Sequence, residues 1–211
     1  MKATEKHLQD ISEIRSIMER SSSFLTLSGL SGVFAGFFAL LGAAFAYWAI
    51  YIKYIPNREI GIINNIPPSN ELIILLFADA FIVLAFALSI GFVFTWRNTK
   101  RKGLKIWDNN SKRLLINLFI PLITGGLFGL LLIWNNHIEI LASATLIFYG
   151  LALLNASKYT IHNIRFLGIS EIILGLITGV FVEYSLLFWA IGFGVLHIIY
   201  GALIYFKYEN K

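Results

Sequence analysis

The sequence has no cysteine, which excludes disulfides, thiolate metal sites and cysteine nucleophiles. Charge is scarce too. Only 14% of the 211 residues are Asp, Glu, Lys or Arg, against about a quarter in a typical soluble domain, so a water-soluble globule is excluded. Disorder requires low hydrophobicity, whereas 57% of this chain is hydrophobic and its mean hydropathy is +0.74. Apolar residues in such excess must face lipid, and a polytopic membrane protein is expected. The net charge of +5 suggests nucleic acid only until the positions of the charges are read.

Six apolar segments are each long enough for a membrane span, which needs about 20 residues. They cover residues 24–51, 72–96, 114–134, 140–156, 166–184 and 186–206, the last two sharing a tight turn near Tyr184 and Ser185. With the N-terminus inside, the inner segments hold 15 of the 17 basic residues, and only Lys53 and Arg58 fall outside. The positive-inside rule therefore predicts that both termini are cytoplasmic. Tyr47, Trp48, Tyr51, Tyr54, Trp134 and Trp189 mark the outer interface, and Trp96, Tyr159, Tyr205 and Tyr208 the inner one.

Residues 1–23 are polar and their charges cancel, while Leu8, Ile11, Ile14 and Met18 recur at helical spacing. A cytoplasmic amphipathic helix is expected there, packed on the protein rather than anchored to anionic lipid. The Ala44-Phe45-Ala46 triplet resembles a signal cleavage site, but the polar region before it is long and acidic and the apolar run too extended. The expected organisation is thus a helix at 1–23, a six-span domain at 24–206 and a cytoplasmic tail at 207–211.

Small residues recur on several faces. Ser28, Gly32, Ala35, Ala39, Gly42 and Ala46 form a seam along the first span, Gly125 and Gly129 a pair in the third, and Gly175 and Gly179 a pair in the fifth. Such faces let helix backbones approach closely. Packing within the chain is the first reading; contact with a second copy or a membrane-protein partner is the other. None of these glycines forms a phosphate cradle, because no strand precedes them and no Lys-Ser/Thr follows. Phe24 to Ser28 and Phe166 to Ser170 share the pattern Phe-Leu-x-(Leu/Ile)-Ser, a faint sign of a parallel repeat.

Ionisable groups within spans cost about 2.5–3.5 kcal/mol each at the helix centre on insertion scales, so Asp79, Glu171 and His197 are the candidate polar or proton-handling residues. Glu171 shares a face with Gly168, Gly175 and Thr178, and His197 with Ala190, Gly194 and Gly201, which points both into the bundle. Glu171 and His197 each lie 13 residues from Tyr184 on opposite sides of the turn, so equal rise per residue puts them at one depth. Asp79 has large apolar neighbours along its face and no evident direction. A static polar clasp and a proton relay are both consistent with such a pair.

The loop at 97–113 has a net charge of +6, which topology and anionic lipid explain without nucleic acid. Neither a metal site nor a cofactor is expected: His7, His137 and His162 lie in separate segments and no His-Glu-x-x-His pattern occurs. Gly29-Leu30-Ser31-Gly32 matches the Gly-x-Ser-Gly of rhomboid intramembrane proteases, with His197 on the last span. Rhomboids carry that serine on a later span and have a His-Asn pair missing here, so no catalytic residue is assigned.

The run FWAIGFGVLHIIYG from Phe188 to Gly201, with GLALLNASKY from Gly150 to Tyr159, resembles an uncharacterised family of small bacterial six-span membrane proteins. The resemblance implies an inner-membrane protein and brings no activity. The expected fold is an all-α bundle of six transmembrane helices. The expected function is that of a non-enzymatic regulatory or accessory component; the alternative is a proton-linked carrier of a small solute using Glu171 and His197.

The topology is directly testable, because the chain has no native cysteine to remove. A single cysteine at position 64 is expected to react with a membrane-impermeant reagent in intact cells, and one at position 102 to stay unlabelled. The reverse pattern overturns the orientation.

Overall fold

The computed structural model describes residues 28–54, 69–101 and 109–210, with residues 11, 103 and 107. The expected helix at 1–23 and the basic residues Lys102 and Lys105 lie outside the described residues, except for the exposed Ile11. Among the described residues there is no strand, and six helical segments are long and apolar enough to cross a membrane: Gly29–Lys53, Asn70–Arg101, Asn109–Trp134, Ile138–Tyr159, Asn163–Val180 and Val182–Lys207. They are called the first to sixth spans below.

Three of the spans are one main helix each, α2 (Asn70–Arg101), α3 (Asn109–Trp134) and α5 (Asn163–Val180), and the first runs from α1 (Gly29–Tyr47) into a π-helical segment, Trp48–Tyr54. The fourth enters through a 3₁₀ turn, Ile138–Ile140, and continues as α4 (Leu141–Ala156). The sixth is composite. A 3₁₀ turn Val182–Tyr184 leads into α6 (Ser185–Trp189), a π-helical segment Ala190–Leu196 follows, and α7 (His197–Tyr208) completes it. The turn between the last two spans therefore begins at Phe181, earlier than the count from Tyr184 assumed.

The helices pack in a chain of neighbours: the second on the first, the first on the sixth, the sixth against the fourth and fifth, and the fourth between the fifth and third. What brings them close is glycine. A Cβ on Gly201 would stand 2.6 Å from the Val33 nitrogen and 2.7 Å from the Gly29 oxygen, and one on Gly32 would stand 3.2 Å from the Gly201 Cα. Backbone thus touches backbone between the first and sixth spans, as small-residue faces allow. The fourth and fifth spans cross in the same way, a Cβ on Gly150 or Gly168 meeting the other's carbonyl oxygen at 2.6 or 2.7 Å.

The seam expected along the first span divides between two neighbours. Of its members, Gly32 faces the sixth span, as do Gly29 and Gly36 beside the seam, whereas Gly42 faces Val83 and Asp79 of the second. Ala39 and Ala46 are buried and Ala35 half-buried. Gly125 and Gly129 receive Phe148 and Leu141 of the fourth span, and Gly175 and Gly179 receive Ile147 and Ser143 of the same span. Each of these small faces meets a helix of its own chain.

The contact of the second span is different in kind. Its rings stack on the first span, Phe94 on Phe34 at 5.4 Å and Phe86 on Phe38 at 5.2 Å between centroids. At the other edge of this contact system, the start of the first span meets the end of the sixth. The Glu209 carboxylate accepts from the Ser28 hydroxyl at 3.0 Å and from the Gly29 backbone N–H. An acidic group at a helix N-terminus satisfies free N–H groups and complements the helix dipole.

Glycines with and without neighbours give a clean test. Gly201→Ala drives a methyl into backbone and is expected to cost about 1–3 kcal/mol of stability. Gly91 has nothing within 4 Å of its Cβ position, so Gly91→Ala is expected to be neutral or stabilising by up to about 1 kcal/mol through helix propensity. Thermal unfolding of the two variants in detergent measures the difference.

Candidate functional site

Glu171 is fully buried, at 0% exposure, in the middle of the fifth span. Its position follows from its neighbours on the same helix face, Gly168 and Gly175, which let the fourth span close over it. On the sixth span the carboxylate lies against Gly192: a Cβ there would stand 2.6 Å from Oε2. Any larger residue at that position would displace the acid.

His197 stands beside it. Its Nδ1 is 3.5 Å from Glu171 Oε1, so the structure brings these two predicted residues together. The same Nδ1 lies 3.0 Å from the Gly192 carbonyl oxygen, five residues earlier in the chain. A carbonyl only accepts, so Nδ1 carries the hydrogen, and in the neutral ring Nε2 is then an acceptor. The Tyr149 hydroxyl of the fourth span supplies the donor, 2.7 Å from Nε2. Rings frame this chain of contacts: Tyr149 and His197 both pack on Phe193, at 4.9 and 5.9 Å between centroids, and Phe193 packs on Trp189 at 4.8 Å.

Other buried hydroxyls nearby are satisfied locally. Ser143 donates to the Gly175 carbonyl and Thr178 to the Leu174 carbonyl, each at 2.7 Å. Glu171 is the exception. Among the described residues, its two carboxylate oxygens are the only buried side-chain nitrogen or oxygen atoms without a hydrogen-bond partner. An unsatisfied group of this kind calls for a physical explanation, since natural interiors hold few of them.

The third predicted residue is elsewhere. Asp79 is half-buried at the crossing of the second span with the first, and its oxygens lie 3.4 and 3.6 Å from the Cβ position of Gly42. It therefore points at the first helix. Tyr149 is the member that the sequence reading missed. Its signal was a phenol in mid-span, far from the two interfaces where such rings usually sit.

Ser31 and His197 are not joined as a nucleophile and base would be. The Ser31 hydroxyl donates to the Ser28 carbonyl at 2.6 Å, and both ring nitrogens of His197 have the partners described above. Among the described residues no group of three or more His, Asp or Glu could hold a metal ion. A groove of about 460 Å³ lies between the first span and the hairpin of the last two, lined by Leu40, Ala43, Tyr47, Tyr51, Glu183 and Tyr184 among others. Neither Glu171 nor His197 lines it.

Contact between Glu171 and His197 makes their substitutions interdependent. Glu171→Ala and His197→Ala are each expected to destabilise, and the double variant to lose less than the sum, with a coupling of about 0.5–3 kcal/mol. A thermodynamic cycle on thermal stability in detergent measures it, and additive losses would show that the pair does not interact.

Compared with protein-family models, with curated proteins and with solved structures, the chain matches none of them.

Proposed function

We propose that this is a multi-pass membrane protein of the bacterial inner membrane, with both ends cytoplasmic, acting as a non-enzymatic regulatory or accessory component. The orientation rests on the 15-to-2 division of basic residues. The observation that carries the function is the burial of the Glu171 carboxyl. A carrier needs a water-accessible route from one side of the membrane to its binding groups. Here Glu171 is wholly buried, His197 is engaged at both nitrogens, and the groove beside the first span is lined by other residues. Glycine contacts bring the helices close around this site, Gly150 and Gly168 backbone to backbone and Gly192 against the Leu146 and Leu174 side chains.

One observation favours the second reading, a proton-linked carrier of a small solute. The Glu171 carboxylate has no hydrogen-bond partner, and a purely structural clasp would be expected to satisfy both of its partners. Flux separates the two readings. Purified protein in liposomes loaded with a pH-sensitive dye is expected to show no solute-driven proton movement, with wild type and Glu171→Gln indistinguishable. A solute-dependent pH change that Glu171→Gln abolishes would replace the accessory reading by the carrier.

A further inference from the structure

Two acceptors face one hydrogen in this site. The Nδ1–H of His197 has the Gly192 carbonyl oxygen at 3.0 Å and Glu171 Oε1 at 3.5 Å, and it is the carbonyl that holds it. An ionised carboxylate is the stronger acceptor of the two. A buried ionised carboxylate left without a hydrogen bond would also be far more costly than a neutral carboxyl in the same place. The arrangement therefore fits a carboxyl that carries its own proton.

We propose that Glu171 is a proton-binding site at the centre of the bundle, and that the π-helical segment Ala190–Leu196 reports whether it is occupied. With the proton bound, His197 gives its Nδ1–H to the Gly192 carbonyl, as seen. When the bundle opens locally, the carboxyl O–H bond breaks and its proton passes to water, and on closure the carboxylate accepts a hydrogen bond from Nδ1–H in place of the Gly192 carbonyl. Tyr149 acts as a positioning residue in both states, because its hydroxyl on Nε2 keeps the ring hydrogen on Nδ1.

The segment that responds is built for it. π-helical turns are uncommon, and they recur at functional sites. This one runs for seven residues and ends directly before His197. Its carbonyl at Gly192 is held by the His197 ring, and Glu171 occupies the side where a Gly192 Cβ would stand. A change in what that carbonyl accepts alters the hydrogen bonding of the segment, and a change of turn there moves α6, with Trp189, relative to α7.

The charges around the site are few. The fourth span brings Tyr149, with Glu139, Lys158 and Tyr159 at its ends. The fifth brings no titratable group besides Glu171 except Arg165, nearly two turns away. The sixth brings His197, with Tyr200 one turn further on and Glu183, Tyr184, Tyr205 and Lys207 toward its ends, and the first span has no titratable residue between 29 and 46, with Tyr47, Tyr51 and Lys53 at its end. The Asp79 carboxylate faces Gly42. The occupancy of Glu171 is thus set chiefly by His197 and by the pH of the medium.

The test is an equilibrium titration of the full chain in lipid nanodiscs, independent of any flux. In an Asp79→Asn background, the infrared carbonyl band of a neutral carboxylic acid is expected at neutral pH, to vanish as pH rises, and to be absent in Glu171→Gln. With Trp48, Trp96, Trp107 and Trp134 replaced by Phe, the fluorescence of Trp189 is expected to change with the same midpoint, and to stay flat in Glu171→Gln. Tyr149→Phe keeps the band but shifts its midpoint. Should Glu171→Gln fail to fold, Glu171→Asp is expected to move both band and midpoint. A band that neither variant alters, or none at any pH, overturns the site. A titrating band with unchanged Trp189 fluorescence overturns the role of the π-helical segment.

Discussion

Backbone-to-backbone contact between helices is the interaction on which the rest of this structure depends. Helices as apolar as these gain little in lipid from setting leucine against leucine, since the acyl chains offer the same contact. What remains is close approach, and it occurs where glycines face each other: Gly29, Gly32 and Gly36 with Gly194 and Gly201, and Gly150 with Gly168. The sixth span is central to this arrangement. Its Gly194 and Gly201 receive the first span, while Gly192 receives the carboxylate of the fifth. Three missing side chains on one helix thus hold two neighbours at close range.

Close approach has a consequence for polar groups. When helices meet backbone to backbone, little room is left between them for water, and each buried polar atom depends on a partner supplied by the protein. Ser143 and Thr178 solve this within reach, on carbonyls of the fifth span. His197 solves it twice, with Tyr149 and Gly192. Among the described residues, Glu171 is the one group for which the packing provides proximity and no hydrogen bond. The same fit of Glu171 onto Gly192 that brings the acid beside His197 also leaves it next to a carbonyl that competes for the histidine hydrogen. The tension in the site follows from the way the helices pack.

Much of this was legible in the sequence. Length and hydropathy sufficed for six span-length helices, and helical spacing sufficed to put Glu171 on a face with Gly168 and Gly175. What the sequence did not carry was which neighbour each face meets. In a soluble helix a polar side and an apolar side reveal orientation, but these helices are apolar all round, so the small residues alone mark direction. Gly32 and Gly42 lie on one continuous seam, yet the first meets the sixth span and the second meets the second span. Asp79 was ambiguous for the same reason, its face carrying only large apolar residues. Tyr149 escaped because a phenol in an aromatic-rich chain reads as an interface residue unless its depth is counted.

The π-helical segment of the sixth span escaped as well, and it bears on the depth argument. Equal counts from Tyr184 assumed a turn at that residue and one rise per residue on both sides. The fifth helix in fact ends at Val180, and Val182–Tyr184 already belongs to the turn. Measured from this earlier turn, His197 is several residues further along its helix than Glu171 is along its own, which in two ideal α-helices would set them at different depths. The sixth span is not an ideal α-helix over this stretch: Ala190–Leu196 is closed by i→i+5 bonds, wider than an α-turn, and chain wound wider climbs less for the same length. The segment thus draws His197 back toward the depth of Glu171, and the packed helices bring its Nδ1 to 3.5 Å from Oε1. The irregular segment lies in the stretch whose winding helps to set that distance, which equal counting along two regular helices does not show.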